Sequence, residues 1–173
     1  MNLKPIVATV CYLLREKDGT LGEMGLAWKE PTESALKLRV ANRWNGWGGK
    51  VELSDSSIEA TALRELRQES GVIATLKQIE KVGIITYRRE GARDCICHIY
   101  LARVPNADPR ATPEMTKPTW FLADELPYES MMASDLLLLP SIVAGKKVTG
   151  VITYDQEMIV IFPETNIEVV SNL

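Results

Sequence analysis

The sequence predicts a mixed α/β fold built on a mainly antiparallel or mixed sheet with few helices. Three observations carry the prediction. Many short runs rich in apolar and β-branched residues alternate with turn sequences. Only two stretches of any length carry helical patterning, one early and one late. With 173 residues, 46% apolar and 25% charged, the chain has the size and composition of one globular domain spanning 1–173. No repeat, low-complexity tract or linker divides it.

Taken in order, residues 5–14 and 22–29 are two apolar runs around "REKDGT", which reads as a hairpin. "KEPTESALKLRVANR" is polar and holds Pro31, so it is an exposed connection with a short helical piece. "WNGWGG" is a loop punctuated by glycines. Residues 57–70 form a helix, capped by Ser57 and stopped by Gly71. Residues 78–88 and 95–104 flank "REGARD" as a second hairpin. "VPNADPRATPEMTKP" is a long proline-rich loop, and "TWFLADELP" a short strand entering a turn. Residues 129–145 are helical, with a break or start near Pro140. "VTGVITYDQEMIVIF" supplies a final strand pair around "YDQE".

A net charge of −3 offers no broad nucleic-acid surface and no attraction to an anionic membrane. A small phosphorylated ligand remains open to it, because a local site can be basic or metal-loaded. The three cysteines cannot all pair. Cys95 and Cys97 lie two apart in a strand-like run and point the same way, which is poor geometry for a bridge. "CICH" lacks further soft ligands at zinc-like spacing, so a buried strand in a reducing compartment outweighs a metal site. "IVATVCYLL" is too short to span a bilayer, and Pro140 breaks "DLLLLPS". A soluble cytoplasmic protein is expected.

"RELRQESGV" holds the chemistry. On a helix, Glu65, Gln68 and Glu69 fall within about 100° of arc. Like charges at i,i+4 cost roughly 0.2–0.5 kcal/mol, a penalty any wet surface tolerates. The setting favours a purpose: "GWGGK" lies just upstream, and a glycine loop lets backbone groups approach a ligand closely. Hard cations such as Mg²⁺ take carboxylates and waters, completed by substrate phosphates.

At these residues the sequence resembles the Nudix hydrolases, whose signature box runs Gly, five residues, Glu, seven residues, then Arg-Glu-apolar-any-Glu-Glu-any-Gly-apolar. Gly49, Arg64, Glu65, Leu66, Glu69, Gly71 and Val72 match it in order and type. "RWNGWGGKV", "KVGIITY", "PEMTKPTWF", "ELPYESMMASD" and "GKKVTG" are similar to the MutT-like branch that includes the oxidised purine nucleoside triphosphatases. The resemblance implies a Nudix fold, a mixed β-sheet sandwiched between helices. Two departures sit inside the box. Its loop is one residue longer, so the loop glutamate falls on Asp55 or Ser56. The first glutamate of the Glu-Glu pair is Gln68, which can offer an oxygen but no charge.

What the resemblance implies for individual residues is specific. Glu65 and Glu69 bind Mg²⁺ (or Mn²⁺), with the Gly49 carbonyl as a further ligand and Gln68 as a weak or water-mediated one. Either glutamate can serve as the base. Arg64 orients helix and loop through carboxylates such as Glu52; the alternative is a surface arginine paired with Gln68. Glu114 reaches the metals or takes a proton from water, unless it is only solvated. In the branch, the purine is held by an asparagine, a tryptophan and two aspartates. Here these positions are Asn45 (otherwise a turn former), Met132, Ser134 and Asp135. Tyr87 keeps an aromatic on the facing strand, Arg89 replaces another, and Lys29 stands at the pocket edge or at a solvated strand end. Met131 and Met132 can equally be core. Replacing an indole removes a stacking surface of order 1–3 kcal/mol per base, and a Ser–Asp pair lacks the shared proton of two aspartates.

Three functions follow from the resemblance. The first is an Mg²⁺-dependent pyrophosphohydrolase of a purine (deoxy)nucleoside triphosphate, oxidised or not, giving the monophosphate and pyrophosphate. The second is hydrolysis of another diphosphate-linked nucleotide, such as a dinucleotide or nucleotide sugar. The third is a nucleotide-binding module of feeble activity, owing to Gln68. The partner in each is a small nucleotide, and the oligomeric state is left open.

Overall fold

The computed structural model describes residues 4–17 and 20–173. Eight strands and three α-helices follow one another: β1 (Ile6–Lys17), β2 (Thr20–Lys29), α1 (Glu33–Leu38), β3 (Arg43–Asn45), α2 (Ile58–Ser70), β4 (Ile79–Arg89), β5 (Cys95–Ala102), β6 (Met115–Leu122), α3 (Asp135–Val143), β7 (Lys147–Tyr154) and β8 (Asn166–Val170). All strands join one mixed sheet in the order β3-β2-β1-β5-β4-β7-β8, with β6 paired to β2. β1 runs parallel to β5 and β4 parallel to β7, while the remaining pairs are antiparallel.

The sheet is buried on both faces, which explains why its central strands are apolar runs rather than clean alternations. Along β1, Cys11 and Leu13 point to one side and Tyr12 and Leu14 to the other. Cys11 and Leu13 join Trp47, Leu66, Tyr100 and Met115 beneath α2. Tyr12 and Leu14 join Ile85, Leu101, Leu138 and Ile152 beneath α3. Full burial of Leu66 alone contributes about 2 kcal/mol. This is the helix–sheet–helix sandwich expected from the resemblance.

The helix over 57–70 matches its prediction in detail. Ser57 Oγ accepts from the Ala60 amide at 3.1 Å, and Gly71 closes the helix at φ 74 with its N–H on Arg67 O. Both predicted hairpins form; the tip of the first, residues 18–19, lies outside the described residues. The short helical piece is α1, capped by Thr32 and closed by Arg39 in the left-handed region.

Four expectations need correction. The segment "WNGWGG" is not wholly loop, since Arg43–Asn45 pairs with Ala27–Lys29. The proline-rich loop ends earlier than expected, because β6 begins at Met115. Pro118 is accommodated where the register with β2 slips between Leu26 and Trp28, with Lys117 at φ 51. A bulge leaves its residues outside the ladder, so the missing proline N–H costs no hydrogen bond. The long helical stretch reduces to α3, starting at Asp135, and Pro140 sits inside it rather than at its start.

The last strand is also displaced. Residues 157–162 make only one bridge, Tyr154 with Ile161, and β7 pairs instead with β8. Asp155 is the physical reason. Its Oδ1 accepts from the Ile159 and Val160 amides and Met158 is at φ 56, so the return is cut short to a turn with two backbone bonds, Asp155 N–H to Val160 O and Phe162 N–H to Thr153 O.

Candidate active site

The site forms where the glycine loop after β3 meets the N-terminal end of β1 and one face of α2. Gly48 lies against β1 so closely that a Cβ there would overlap the Thr9 carbonyl, and a Cβ on Gly49 would fall on the Glu65 carboxylate. Only glycine permits this approach. The Gly48 amide donates to Glu69 Oε2 at 2.8 Å, and the Gly49 carbonyl accepts from the Thr9 amide at 2.8 Å. One lone pair of that carbonyl therefore remains for another partner.

Arg64 ties the helix to the loop. Its Nε and Nη2 each meet one oxygen of Asp55 at 2.8 Å. Nη2 also donates to Lys50 O at 3.1 Å, and Nη1 donates to Glu65 Oε1 at 2.8 Å and Gln68 Oε1 at 3.1 Å. The loop position left open between Asp55 and Ser56 is thus filled by Asp55. The expected partner Glu52 is secondary, 3.6 Å away and mostly exposed. The guanidinium fork, followed by the Glu52 amide and the Thr61 hydroxyl, holds the Asp55 carboxyl far below the usual carboxylate range. The alternative reading, an arginine paired only with Gln68, is set aside by this geometry. Arg64→Met should lower the melting temperature and weaken metal-dependent turnover about 10–100-fold, the usual effect of losing a group that orients a ligand. Arg64→Lys should recover little, because an ammonium cannot reproduce the fork. Thermal melts and a metal titration check both.

Glu69 faces the opposite cation. Lys29 Nζ, at the end of β2, lies 2.5 Å from Glu69 Oε1 and 3.7 Å from Glu114 Oε2. The Glu69 side chain is 8% exposed and that of Lys29 12%. Burial pushes the Glu69 carboxyl up, opposed by Lys29 and by the Gly48 amide. Glu114 precedes β6 and is open to solvent. Among the described residues no three His, Cys, Asp or Glu side chains gather at one point. Glu65 and Glu69 instead stand a helical turn apart, each against a cationic side chain. Two carboxylates drawn to cations beside a glycine loop form a donor set that suits a hard divalent ion, with Lys29 as a stand-in charge.

A cavity of about 760 Å³ opens over this site, well within the range of small-molecule sites. Gly49, Arg64, Glu65, Gln68, Glu69 and Glu114 line one end. Lys29, held against Glu69, lines it too, as do Asn45, Tyr87 and Arg89. Asn45 Oδ1 accepts from the Gly46 amide at 2.8 Å, so it also shapes the turn. Met132, Ser134 and Asp135 do not line the cavity. Met132 packs in the core, the Ser134 amide donates to Tyr154 Oη at 2.8 Å, and Asp135 Oδ2 accepts from the Met132 amide at 3.1 Å. Asp135 is 5% exposed, and burial raises its carboxyl to about 7, opposed by the Met132 amide and by Arg43.

Two features of the cavity were not read from the sequence. Thr9, whose buried hydroxyl has no partner among the described residues, lines it, as do the α1 cap Thr32 and Ala35 and Leu38 of α1. Thr9 carries no signal within an apolar strand. The cap sequence "PTES" announced α1 but not what it covers.

A glycine loop, a capped helix carrying Arg64, Glu65 and Glu69, and a mixed sheet between helices define the class. The chain matches the NUDIX domain over residues 4–141 and belongs to that family. It is 36% identical over 111 residues to the oxidized purine nucleoside triphosphate hydrolase of Danio rerio, spanning 64% of this chain and 69% of that protein. Identity to the protein of the same description from Mus musculus is 35% over the same shares. A MutT protein structure from Bacillus halodurans superposes with a TM-score of 0.72 over 95% of this chain and 97% of its own, at 19% identity, and so shares the fold. The ORF135 protein of E. coli superposes at 0.62 over 82% and 91%, with 26% identity. The protein is an enzyme of the Nudix hydrolase class, similar to the MutT-like branch. None of the described helices is long and apolar enough to cross a membrane.

Proposed function

We propose that the protein hydrolyses a purine (deoxy)nucleoside triphosphate, canonical or oxidised, to the monophosphate and pyrophosphate. The observation that carries this is the placement of Glu65 and Glu69, with their two cations, at one end of a nucleotide-sized cavity. The 36% identity to a purine nucleoside triphosphate hydrolase supports the substrate class.

Glu65, Glu69 and the Gly49 carbonyl would hold Mg²⁺ or Mn²⁺, with Gln68 and Glu114 at the margin. When bound, the divalent ion neutralises the bridging phosphates and makes water a better nucleophile. Glu69 must release Lys29 to take part. The freed ammonium, anchored at the end of β2, then meets the phosphate chain as a point charge. Arg64 keeps Glu65 aimed at the loop. Glu69, at the cavity wall beside Lys29, would take the water proton, a role that Glu65 can also fill. The water oxygen joins phosphorus, the bridging P–O bond breaks, and pyrophosphate leaves. Asn45 and Tyr87 take the base.

Ser134 and Asp135 lie beneath the cavity rather than on it, and this favours a second reading: hydrolysis of another diphosphate-linked nucleotide. A screen over nucleoside triphosphates, dinucleotides and nucleotide sugars, read by chromatographic analysis of the products, separates the two. Turnover restricted to dinucleotides or nucleotide sugars overturns the triphosphate reading. No Mg²⁺-dependent turnover on any of them leaves a binding module.

Gln68 is exposed at the cavity edge and brings no charge. Gln68→Glu should therefore tighten apparent Mg²⁺ affinity on the order of tenfold, since ligand charge sets the affinity of such sites. An unchanged midpoint in the Mg²⁺ titration of activity would remove residue 68 from the metal's surroundings.

A further inference from the structure

We infer that the part of the cavity lined by the β4–β5 hairpin is a second anion subsite, formed by Arg89 and Arg93 with Lys50 nearby. It takes a phosphoryl group that the nucleotide carries away from its hydrolysed bridge. The inference rests on the reading that a nucleotide occupies this cavity.

The hairpin geometry places the two arginines. Tyr87 of β4 pairs with Cys95 of β5, and alternate residues of a strand share a face. One step beyond that rung, Arg89 and Arg93 fall on the face that carries Tyr87 and Cys95, and all four line the cavity. Arg88 lines the same cavity and meets Asp94 at 3.3 Å. The hairpin's aspartate is thus taken by Arg88, leaving Arg89 and Arg93 without it.

The charges at the two ends of the cavity differ in kind. At the catalytic end every cation is matched: Lys29 by Glu69 and Glu114, Arg64 by Asp55 and Glu65. At the hairpin end, no described carboxylate forms an ion pair with Arg89, Arg93 or Lys50. Arg89 donates only to backbone carbonyls, Gln156 O at 3.3 Å and Lys37 O at 3.4 Å. Lys50 bridges Ala8 of β1, whose β5 partner is Cys97, two residues along from Cys95, and it lines the cavity with both cysteines. Like charges set across from each other in a hairpin are destabilising, so this arrangement awaits an anion. Guanidinium forks match phosphate oxygens in geometry as well as charge. Such an anion must sit on the ribose or beyond it, because the diphosphate is held at the other end.

The test uses the intact protein with Mg²⁺ and three probes: adenosine 5′-monophosphate, adenosine 2′,5′-bisphosphate and adenosine 3′,5′-bisphosphate, titrated by calorimetry. One bisphosphate should bind about tenfold tighter than the monophosphate, the effect of one or more charge-assisted hydrogen bonds. Arg93→Gln, at an exposed position without an ion-pair partner, should erase that gap while leaving monophosphate affinity as in the wild type. Arg93→Lys should restore part of it. Equal binding of all three, absence of binding, or a gap that survives Arg93→Gln overturns the subsite. Triphosphate turnover is measured on the same samples. A gap without turnover removes the hydrolase reading and keeps the subsite, whereas turnover without a gap removes the subsite alone.

Discussion

Glu69→Gln should cost at least about a hundredfold in metal-dependent turnover while the protein stays folded, because groups that merely orient metal ligands already cost 10–100-fold. The amide keeps the shape of the side chain and an oxygen for the Gly48 amide, which Glu69 accepts at 2.8 Å. It removes the negative charge that a divalent ion needs and the site that would take the proton of water. Glu69→Ala is expected to be worse in a second way. It leaves Lys29 nearly buried with only the distant Glu114, and an uncompensated buried charge typically costs about 3–5 kcal/mol. Turnover measured beside circular dichroism and thermal melts separates the two effects. Near-normal turnover in Glu69→Gln would take this residue out of the chemistry.

Asp135→Asn should stabilise the protein, by an amount that grows from about pH 4 and is largest at neutral or alkaline pH. Burial raises the Asp135 carboxyl to about 7 from the ordinary aspartate value of 3.8. Between those values the unfolded chain has released this proton while the native state still holds it, so raising the pH favours unfolding. Its contribution is complete below pH 4 and is lost as the pH climbs through about 7. Near pH 8 the accumulated penalty is about 4 kcal/mol. Asparagine carries no charge to bury and retains an oxygen for the Met132 amide, so it escapes that penalty. Urea unfolding should show the variant more stable by up to about 4 kcal/mol at pH 8, shrinking to about 1 kcal/mol at pH 4.5. A variant less stable than the wild type at pH 8 would mean that the native site stabilises the carboxylate. It would contradict the raised carboxyl of the buried Asp135 described above.

Local chemistry made α2 readable: Ser57 caps it, Gly71 ends it, and the 3.6-residue period brings residues 65, 68 and 69 to one face. The hairpins were readable from paired apolar runs and their turns. What escaped was decided across the chain. Pro118 argues against a strand in any local reading, and only the bulge against β2 permits one. Residues 157–162 are apolar enough for a strand, yet Asp155 gathers their amides into a turn, leaving β7 to the terminal "NIEVV". In the site, the box announced Glu65 and Glu69 but not their occupancy. Lys29 is 40 residues from Glu69 in sequence, and only the pairing of β2 brings it there. Position by position, Met132, Ser134 and Asp135 stood where a base would be held. The packing of Tyr154 and α3 draws them under the cavity.

The account turns on Glu69 exchanging an ammonium for a metal. A crystal structure with Mn²⁺ and a non-hydrolysable purine triphosphate tests this most directly, since Mn²⁺ is located by its anomalous signal. The account predicts the ion on Glu65 and Glu69, with Lys29 moved from Glu69 onto the phosphates. Lys29 still seated on Glu69, with the ion held elsewhere by the nucleotide alone, would contradict it.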